Sequence, residues 1–164
     1  MSSPLAVNLR HLKDKSVVLQ GEISAEELQI ECLDELVHAR APLKYDVEVE
    51  MLESNLLVQG TLKITLECEC ARCLKPFSYP LTLEDWVCHV PLQGEEAAPT
   101  INDCVDLTPY VREDTLLAFP QHPLCKPECG GLPPTPHSLK PEPGGEPKPT
   151  ASAWAELNKL RFDK

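Results

Sequence analysis

Two pairs of cysteines constrain this 164-residue chain more than any other feature of its sequence. Cys70 and Cys73 are separated by two residues, and Cys125 and Cys129 by three. A pair of thiolates at such a spacing on a tight turn can occupy two corners of a tetrahedral zinc site, so two pairs can fill all four. The pattern therefore predicts one structural zinc ion per chain, bound by all four sulfurs. The simpler interpretation is that the four residues are reduced cysteines in ordinary loops.

Other residues near these pairs allow variations on the site. Cys68 is interpreted as a core thiol, because a buried cysteine behaves as a small hydrophobic residue, and His122 is the best substitute ligand. If the two pairs meet at a metal, Arg72, Lys75 and Lys126 form a small basic cluster. We expect this cluster to contact RNA or a protein partner. It would equally well offset the negative charge of four thiolates around one zinc ion.

The segment that leads to the first pair has the clearest strand pattern. Residues 45–51 alternate apolar with charged side chains, and the alternation returns in residues 58–70. A period of two is typical of strands with one buried and one solvated face, so the two runs predict an antiparallel hairpin. Gly60, inside the second run, indicates a β-bulge.

Further strand-like runs flank this hairpin. Residues 6–9 and 16–23 are predicted to pair as an N-terminal hairpin, and residues 77–92 to form either two strands or one long bent strand. Between them, Ser24 and Glu27 have the spacing of a capping box, which predicts a short helix or turn.

One helix is predicted after the strands. Thr108 would supply the capping hydroxyl and Pro109 the first helical position, and the helix would run to about Phe119 with Leu117 among its core contacts. The fold class is therefore α+β. We expect a mainly antiparallel sheet, open or rolled into a partial barrel, with a packed helix and a zinc-stapled loop, meaning a loop that the metal ties to the sheet.

Composition divides the chain into three parts. Residues 1–132 are predicted to form the zinc-stapled α+β domain, residues 133–150 a flexible linker rich in Pro and Gly, and residues 151–164 a short C-terminal helix. Trp154 and Leu157 lie on one side of that helix and are candidate partner-binding residues. The helix would dock either on its own sheet or on a partner.

Charge and cysteine content limit the function classes. The formal net charge of −11 argues against broad contact with nucleic acid phosphates and fits a partner with a basic surface. No apolar run approaches a membrane span, and the first four residues lack the features of a signal peptide. We therefore expect a cytoplasmic protein with no membrane partner. In that compartment, the eight cysteines favour metal ligation or burial over disulfides.

The sequence offers no constellation typical of an enzyme. A catalytic zinc keeps one open position, and a nucleophilic cysteine needs a histidine partner, whereas Cys88 and His89 would point apart on a strand. No phosphate-binding loop or dinucleotide motif is present. We predict a non-enzyme without a small-molecule substrate. The rival is a zinc-dependent hydrolase or nuclease acting on RNA, with three protein ligands and a water on the metal.

The order of the motifs resembles one protein family. Residues 70–77 resemble the C-x-R-C-L-x-x-[FV] signature of the YceD family, the large ribosomal RNA subunit accumulation proteins. Residues 105–120 look like that family's segment containing DL and VREELLLALP, and residues 125–132 like its C…C-x-G-L element. Residues 154–160 are similar to its closing W-x-x-L-x-x-L. Many members have further cysteines after the G-L, where this chain has its proline-rich linker, which leaves the two pairs as the best-spaced thiols.

The resemblance implies a bacterial, metal-binding, cytoplasmic protein that supports accumulation or processing of 23S ribosomal RNA without catalysis. It implies a partner that is a ribosomal protein, a processing factor or a local element of the 23S precursor. The second rival is a zinc-binding scaffold with no link to ribosomes.

Overall fold

The computed structural model describes residues 3–13, 15–31 and 34–133. In these ranges the chain forms eight strands, one turn of 3₁₀ helix and one α-helix. The strands are β1 Ala6–Asn8, β2 Val17–Ile23, β3 Val37–His38, β4 Leu43–Leu52, β5 Asn55–Glu69, β6 Pro76–Pro91, β7 Thr100–Ile101 and β8 Cys104–Asp106. The 3₁₀ turn is Leu9–Leu12, and the α-helix, α1, is Thr108–Leu117. None of the helices in the described ranges is long and apolar enough to span a membrane.

The strands form two sheets, and every pairing is antiparallel. The larger sheet has the order β2-β4-β5-β3, with β6 paired along the other edge of β5, and it is curled into a half-barrel. The smaller sheet has the order β1-β8-β7. The predicted fold class, a mainly antiparallel sheet rolled into a partial barrel with one helix, is confirmed for the described residues.

The β4–β5 hairpin is the centre of the larger sheet, and it forms as the alternating pattern predicts. Tyr45 pairs with Leu62 and Val49 with Val58, and all four side chains are buried. Alternate residues such as Lys44 are exposed. One sheet face therefore packs on an aliphatic core while the other faces water.

Gly60 lies at the predicted bulge. The β5–β6 register shifts between Gly60 and Leu62, where β6 contains one residue more than β5. Asp85 lies in this stretch of β6 and has a φ of 53°. A Cβ on Gly60 would overlap the carbonyl oxygen of Asp46 and lie 2.7 Å from the Cα of Val47. Its own φ of 155° is also one that other residues rarely adopt. Only glycine allows β4 to pass this close to β5.

The predicted N-terminal hairpin is wrong. β1 pairs with β8 and β2 pairs with β4, so the two runs belong to different sheets. The segment between them begins with the 3₁₀ turn, in which Asn8 Oδ1 accepts a hydrogen bond from Arg10 N at 2.9 Å. Short strands carry little information about their partners, and here long-range burial decides the pairing.

The capping box between β2 and β3 is present. Glu27 N donates to Ser24 Oγ at 3.2 Å, and Ser24 N donates to Glu27 Oε2 at 3.2 Å. A run of turns follows rather than a regular helix, and it buries Leu28. The strand that follows the central hairpin, β6, is one long strand, which settles the two alternatives for residues 77–92.

The helix occurs where expected, but two of its details differ. Thr108 is the first helical residue, and the carboxylate of Asp106 accepts hydrogen bonds from its N–H at 2.9 Å and its Oγ1 at 2.6 Å. Val111 and Thr115 form the buried side, whereas Leu117 is 84% exposed. At 3.6 residues per turn, Leu117 lies well away from the face of Val111, so its predicted core contact is wrong.

The predicted linker and C-terminal helix fall on residues 134–164, which lie outside the described residues. The described part belongs to a compact unit that spans Met1–Pro133.

Candidate metal centre

The first cysteine pair lies on the tight turn between β5 and β6. Cys70 N donates to the carbonyl of Lys75 at 3.0 Å, and Leu74 N donates to the carbonyl of Cys70 at 2.9 Å. Leu74 has a φ of 59°, which lets the chain reverse direction. These bonds hold Cys70 and Cys73 on one compact turn directly after a buried strand.

The second pair lies on a loop that packs against this turn. Ala71 N donates to the carbonyl of Pro123 at 2.8 Å, and Arg72 Nη1 donates to the carbonyl of Cys129 at 3.0 Å. Within the loop, Cys129 N donates to the carbonyl of Lys126 at 3.1 Å. One backbone hydrogen bond and one side-chain hydrogen bond therefore join the two loops, which lie before and after the helix in the sequence.

The four sulfurs form one cluster. The Sγ atoms of Cys70, Cys73, Cys125 and Cys129 all lie within 4.8 Å of one another. The distance from Cys70 to Cys129 is 3.7 Å, and that from Cys73 to Cys125 is also 3.7 Å. A tetrahedron with metal–sulfur bonds of about 2.3 Å has edges of about 3.8 Å. These four cysteines could therefore hold a metal ion with all positions filled by protein.

The surroundings shift the pKa values of two of these thiols in opposite directions. Hydrogen bonding by the backbone of Cys125, Cys73 and Arg72 outweighs burial and lowers the pKa of Cys70 to about 6. Burial and the adjacent sulfurs raise the pKa of Cys125 to about 12. Several negative sulfurs repel one another at this distance. A bound cation would remove that repulsion and favour the thiolate at every position.

The other candidate ligands lie elsewhere. Cys68 is buried in the hydrophobic core, and burial raises the pKa of its thiol, as expected of a core cysteine. His122 is exposed and does not belong to the cluster. Cys88 and Cys104 are half-buried at other places, and Cys32 lies outside the described residues.

The three residues of the predicted basic cluster lie on the cysteine loops. Arg72, Lys75 and Lys126 are exposed on the two cysteine loops. Arg72 is committed to the carbonyl of Cys129, whereas neither lysine forms an ion pair within the described part of the chain. Trp154 and Leu157, the other predicted contact residues, lie outside the described residues.

Sequence reasoning missed two exposed leucines beside these loops. Leu74 is 55% exposed and Leu132 is 61% exposed. Leu74 directly follows Cys73 and precedes Lys75, so its place on the turn between β5 and β6 was a signal that could have identified it. The surface of the two cysteine loops therefore combines two free lysines with two apolar side chains.

The comparisons with known proteins agree with the motif order. The model of the family described as large ribosomal RNA subunit accumulation protein YceD matches residues 58–161. An uncharacterized protein of Mycobacterium bovis and one of Mycobacterium tuberculosis are each 30% identical over 130 residues, which cover 71% of this chain. An uncharacterized protein of Mycobacterium leprae is 28% identical over 110 residues, or 56% of this chain and 46% of the relative.

The chain spans only part of these relatives. The alignment covers 61% of the length of the Mycobacterium bovis and Mycobacterium tuberculosis proteins. None of the solved structures matches the chain significantly.

Proposed function

Since this chain belongs to the YceD family of large ribosomal RNA subunit accumulation proteins, we propose that it supports the accumulation and processing of 23S ribosomal RNA as a non-catalytic factor. Its role would be in the biogenesis of the large ribosomal subunit, in the cytoplasm. The family match over residues 58–161, which includes all four clustered cysteines, is the observation that carries this proposal.

The metal of the proposed factor is one structural zinc ion per chain. Cys70, Cys73, Cys125 and Cys129 would hold it, and the sulfur spacing of 3.7 Å supports zinc because it is close to the edge of a zinc–thiolate tetrahedron. Such an ion, when bound, supplies folding free energy and no reaction chemistry. The role of the four residues would be to fix the two cysteine loops against each other.

The partner-binding surface is proposed to be the outside of those loops. Lys75 and Lys126 supply free positive charge, and Arg72 lies on the same two-loop surface. Trp154 and Leu157 would add contacts from the C-terminal segment. A small basic site on a chain with a net charge of −11 suits one local partner rather than a long stretch of RNA. That partner would be a ribosomal protein, a processing factor or a local element of the 23S precursor.

The rival function, a zinc-dependent RNA hydrolase, requires an open coordination position. Four sulfurs within 4.8 Å of one another support a closed site instead. Three protein ligands and one water on the metal, measured by X-ray absorption, would favour the rival.

The test is sedimentation of the tagged full-length chain in lysate of its native host. We expect co-migration with precursors of the large subunit, and we expect Trp154→Ala or the double change Lys75→Glu and Lys126→Glu to reduce it at least several-fold. The double change Lys13→Glu and Lys15→Glu alters the same number of exposed charges away from the thiols and should leave it intact. Free migration of the wild type would contradict the ribosomal role and favour an unrelated scaffold.

A further inference from the structure

A groove of about 760 Å³ lies between the smaller sheet and the start of α1. Its lining includes residues of β1, β7, β8 and the helix. Cavities of this size are typical of ligand-binding sites in proteins. No part of the proposed function uses this groove.

Apolar side chains form most of the groove. The apolar residues that line the groove, some half-buried and some exposed, are Ala6, Pro99, Ile101, Cys104, Pro109 and Tyr110. Ile101 is 71% exposed, so most of its apolar surface is open to solvent at the groove that it lines. Its transfer out of water on contact with an apolar group would be favourable.

The exposure of Ile101 is imposed by an anchored hairpin. Asn102 and Asp103 have φ values of 51° and 60°, as in the two-residue turns that join twisted antiparallel strands. Leu9 N donates to the carbonyl of Asp103 at 2.8 Å, and Arg10 pairs with the carboxylate of Asp103. The hairpin is therefore tied to the segment after β1, and Ile101 is presented at a defined place.

The charge of the groove is negative. Asp106 and Glu113 are among its lining residues, and no lysine, arginine or histidine is. Arg10 lies near this hairpin but is paired with Asp103. Glu113 is exposed and has no ion pair in the portion that the structure describes. Carboxylates beside apolar walls attract cations and repel phosphates.

We propose that this groove binds a segment of another protein in which one bulky apolar side chain adjoins a lysine or arginine. The apolar side chain would pack on Ile101 and Tyr110, and the basic group would meet Glu113 and Asp106. The carboxylates argue against a nucleic acid in this place. The proposal goes beyond the ribosomal role and does not depend on the thiol cluster, since none of the lining residues lies on the cysteine loops.

The test is a titration of the isotope-labelled full-length chain followed by NMR. The probe is the acetylated and amidated peptide Gly-Trp-Lys-Lys-Gly, and the two control peptides replace its Trp by Ala or its two Lys by Glu. We expect the first peptide to shift the amide signals of Ala6, Ile101, Cys104 and Tyr110 at millimolar concentration. Each control peptide should bind at least several-fold more weakly.

Two variants locate the contact. Ile101→Ser should weaken binding roughly tenfold, because one apolar anchor often dominates such contacts. Leu117→Ser removes another exposed aliphatic side chain, which lies outside the groove, and should leave binding unchanged. Glu113→Lys should shift the preference towards the peptide with two Glu.

Three results would overturn the proposal. The first is that no groove signal shifts with the Trp-Lys peptide at millimolar concentration. The second is that Leu117→Ser weakens binding as much as Ile101→Ser does. The third is that the free chain sediments as a dimer that Ile101→Ser dissociates, which would assign the groove to a second copy of the chain. All three are measured on purified protein, so they are distinct from failure of the ribosomal role.

Discussion

The two ends of the β5–β6 hairpin are stabilised by different means. At the end where Asn55 pairs with Pro91, the next pair, Leu56 and Val90, is fully buried in the hydrophobic core. At the other end, the last pair is Glu69 and Pro76, and the cysteine turn follows. We call these the apolar end and the thiol end.

The buried residues of the thiol end are not part of the core. Cys70 is 0% exposed and Cys129 is 5% exposed, yet neither belongs to the hydrophobic cluster that includes Cys68, Leu66 and Leu56. Burial of apolar area stabilises the apolar end through contacts that need no ligand. The thiol end has mainly backbone hydrogen bonds and four sulfurs, so its stability should depend on what those sulfurs bind. We therefore expect the two ends of this strand pair to differ in whether their stability requires a ligand.

The largest expected effect lies on the apolar side of this comparison. Gly60→Val would place a side chain against the backbone of Asp46 and Val47, where no flexible group can move away. We expect a loss of more than about 4 kcal/mol in the free energy of unfolding, measured by urea denaturation. The loss should be the same with and without a chelator, because the clash is in the sheet.

Gly94→Ala is the control for this change. Gly94 also has a positive φ, 100°, but no atom lies within 4 Å of the position of its added Cβ. It should lose only about 1 kcal/mol, the typical strain of a residue in that conformation. Equal losses at the two glycines would show that the close approach of β4 to Gly60 does not matter.

The second prediction compares the two ends directly. Removal of metal with a chelator should speed amide hydrogen exchange in the two cysteine loops, residues 70–75 and 123–131. Residues 56–66 of β5 should keep their slow exchange, since β5 pairs with β4 and β6 and one of its faces packs on the apolar core. Hydrogen-exchange mass spectrometry measures both sets in one sample. Uniform loss of protection along β5 would contradict the division into two regions.

The smallest expected effect concerns a thiol outside the cluster. Burial, with Asp114 and Glu113 nearby, raises the pKa of Cys88 from 9.0 to about 11. The folded protein therefore holds this proton more tightly than the unfolded chain, and the resulting stability is full below pH 9 and lost as the pH rises through 11. At neutral pH the thiolate fraction is about a hundredfold below that of an ordinary thiol, so alkylation should be slower by a similar factor.

Pulsed alkylation with iodoacetamide, followed by peptide mass spectrometry between pH 7 and 11, tests this. The Cys88 rate in the folded protein should rise steadily up to about pH 11, while a urea-unfolded control should level off near pH 9. A folded-state rate that levels off near pH 9 would show that burial does not affect this thiol.

The sequence was most informative where local patterns and burial agree. The alternation in residues 45–51 and 58–70 identified the central hairpin, and the spacing of Ser24 and Glu27 identified their mutual cap. The glycine at position 60 identified the bulge because no other residue fits between two close backbones. In each of these places, the local pattern of residue types was enough to identify the feature, although the bulge also involves the neighbouring strands β4 and β6.

Prediction failed where distant segments decide the structure. β1 has three residues and pairs with β8, almost a hundred positions away, which no local pattern of Ala6–Asn8 indicates. The groove is formed by segments around Ala6, Ile101 and Tyr110, and none of these has a recognisable motif. The two cysteine pairs are the exception, since the chemistry of a four-ligand metal site suggested their meeting despite their separation, and the structure brings the four sulfurs together.

The metal content of full-length protein purified without added zinc, measured by inductively coupled plasma mass spectrometry, shows whether the four cysteines bind a metal. We expect one zinc ion per chain in the wild type. We expect little zinc and a lower melting temperature for Cys129→Ser, whereas Cys104→Ser, a change outside the cluster, should retain the metal. Carefully reduced wild-type protein with no bound metal would contradict the proposed zinc site, because the thiol end would then be stable without a ligand.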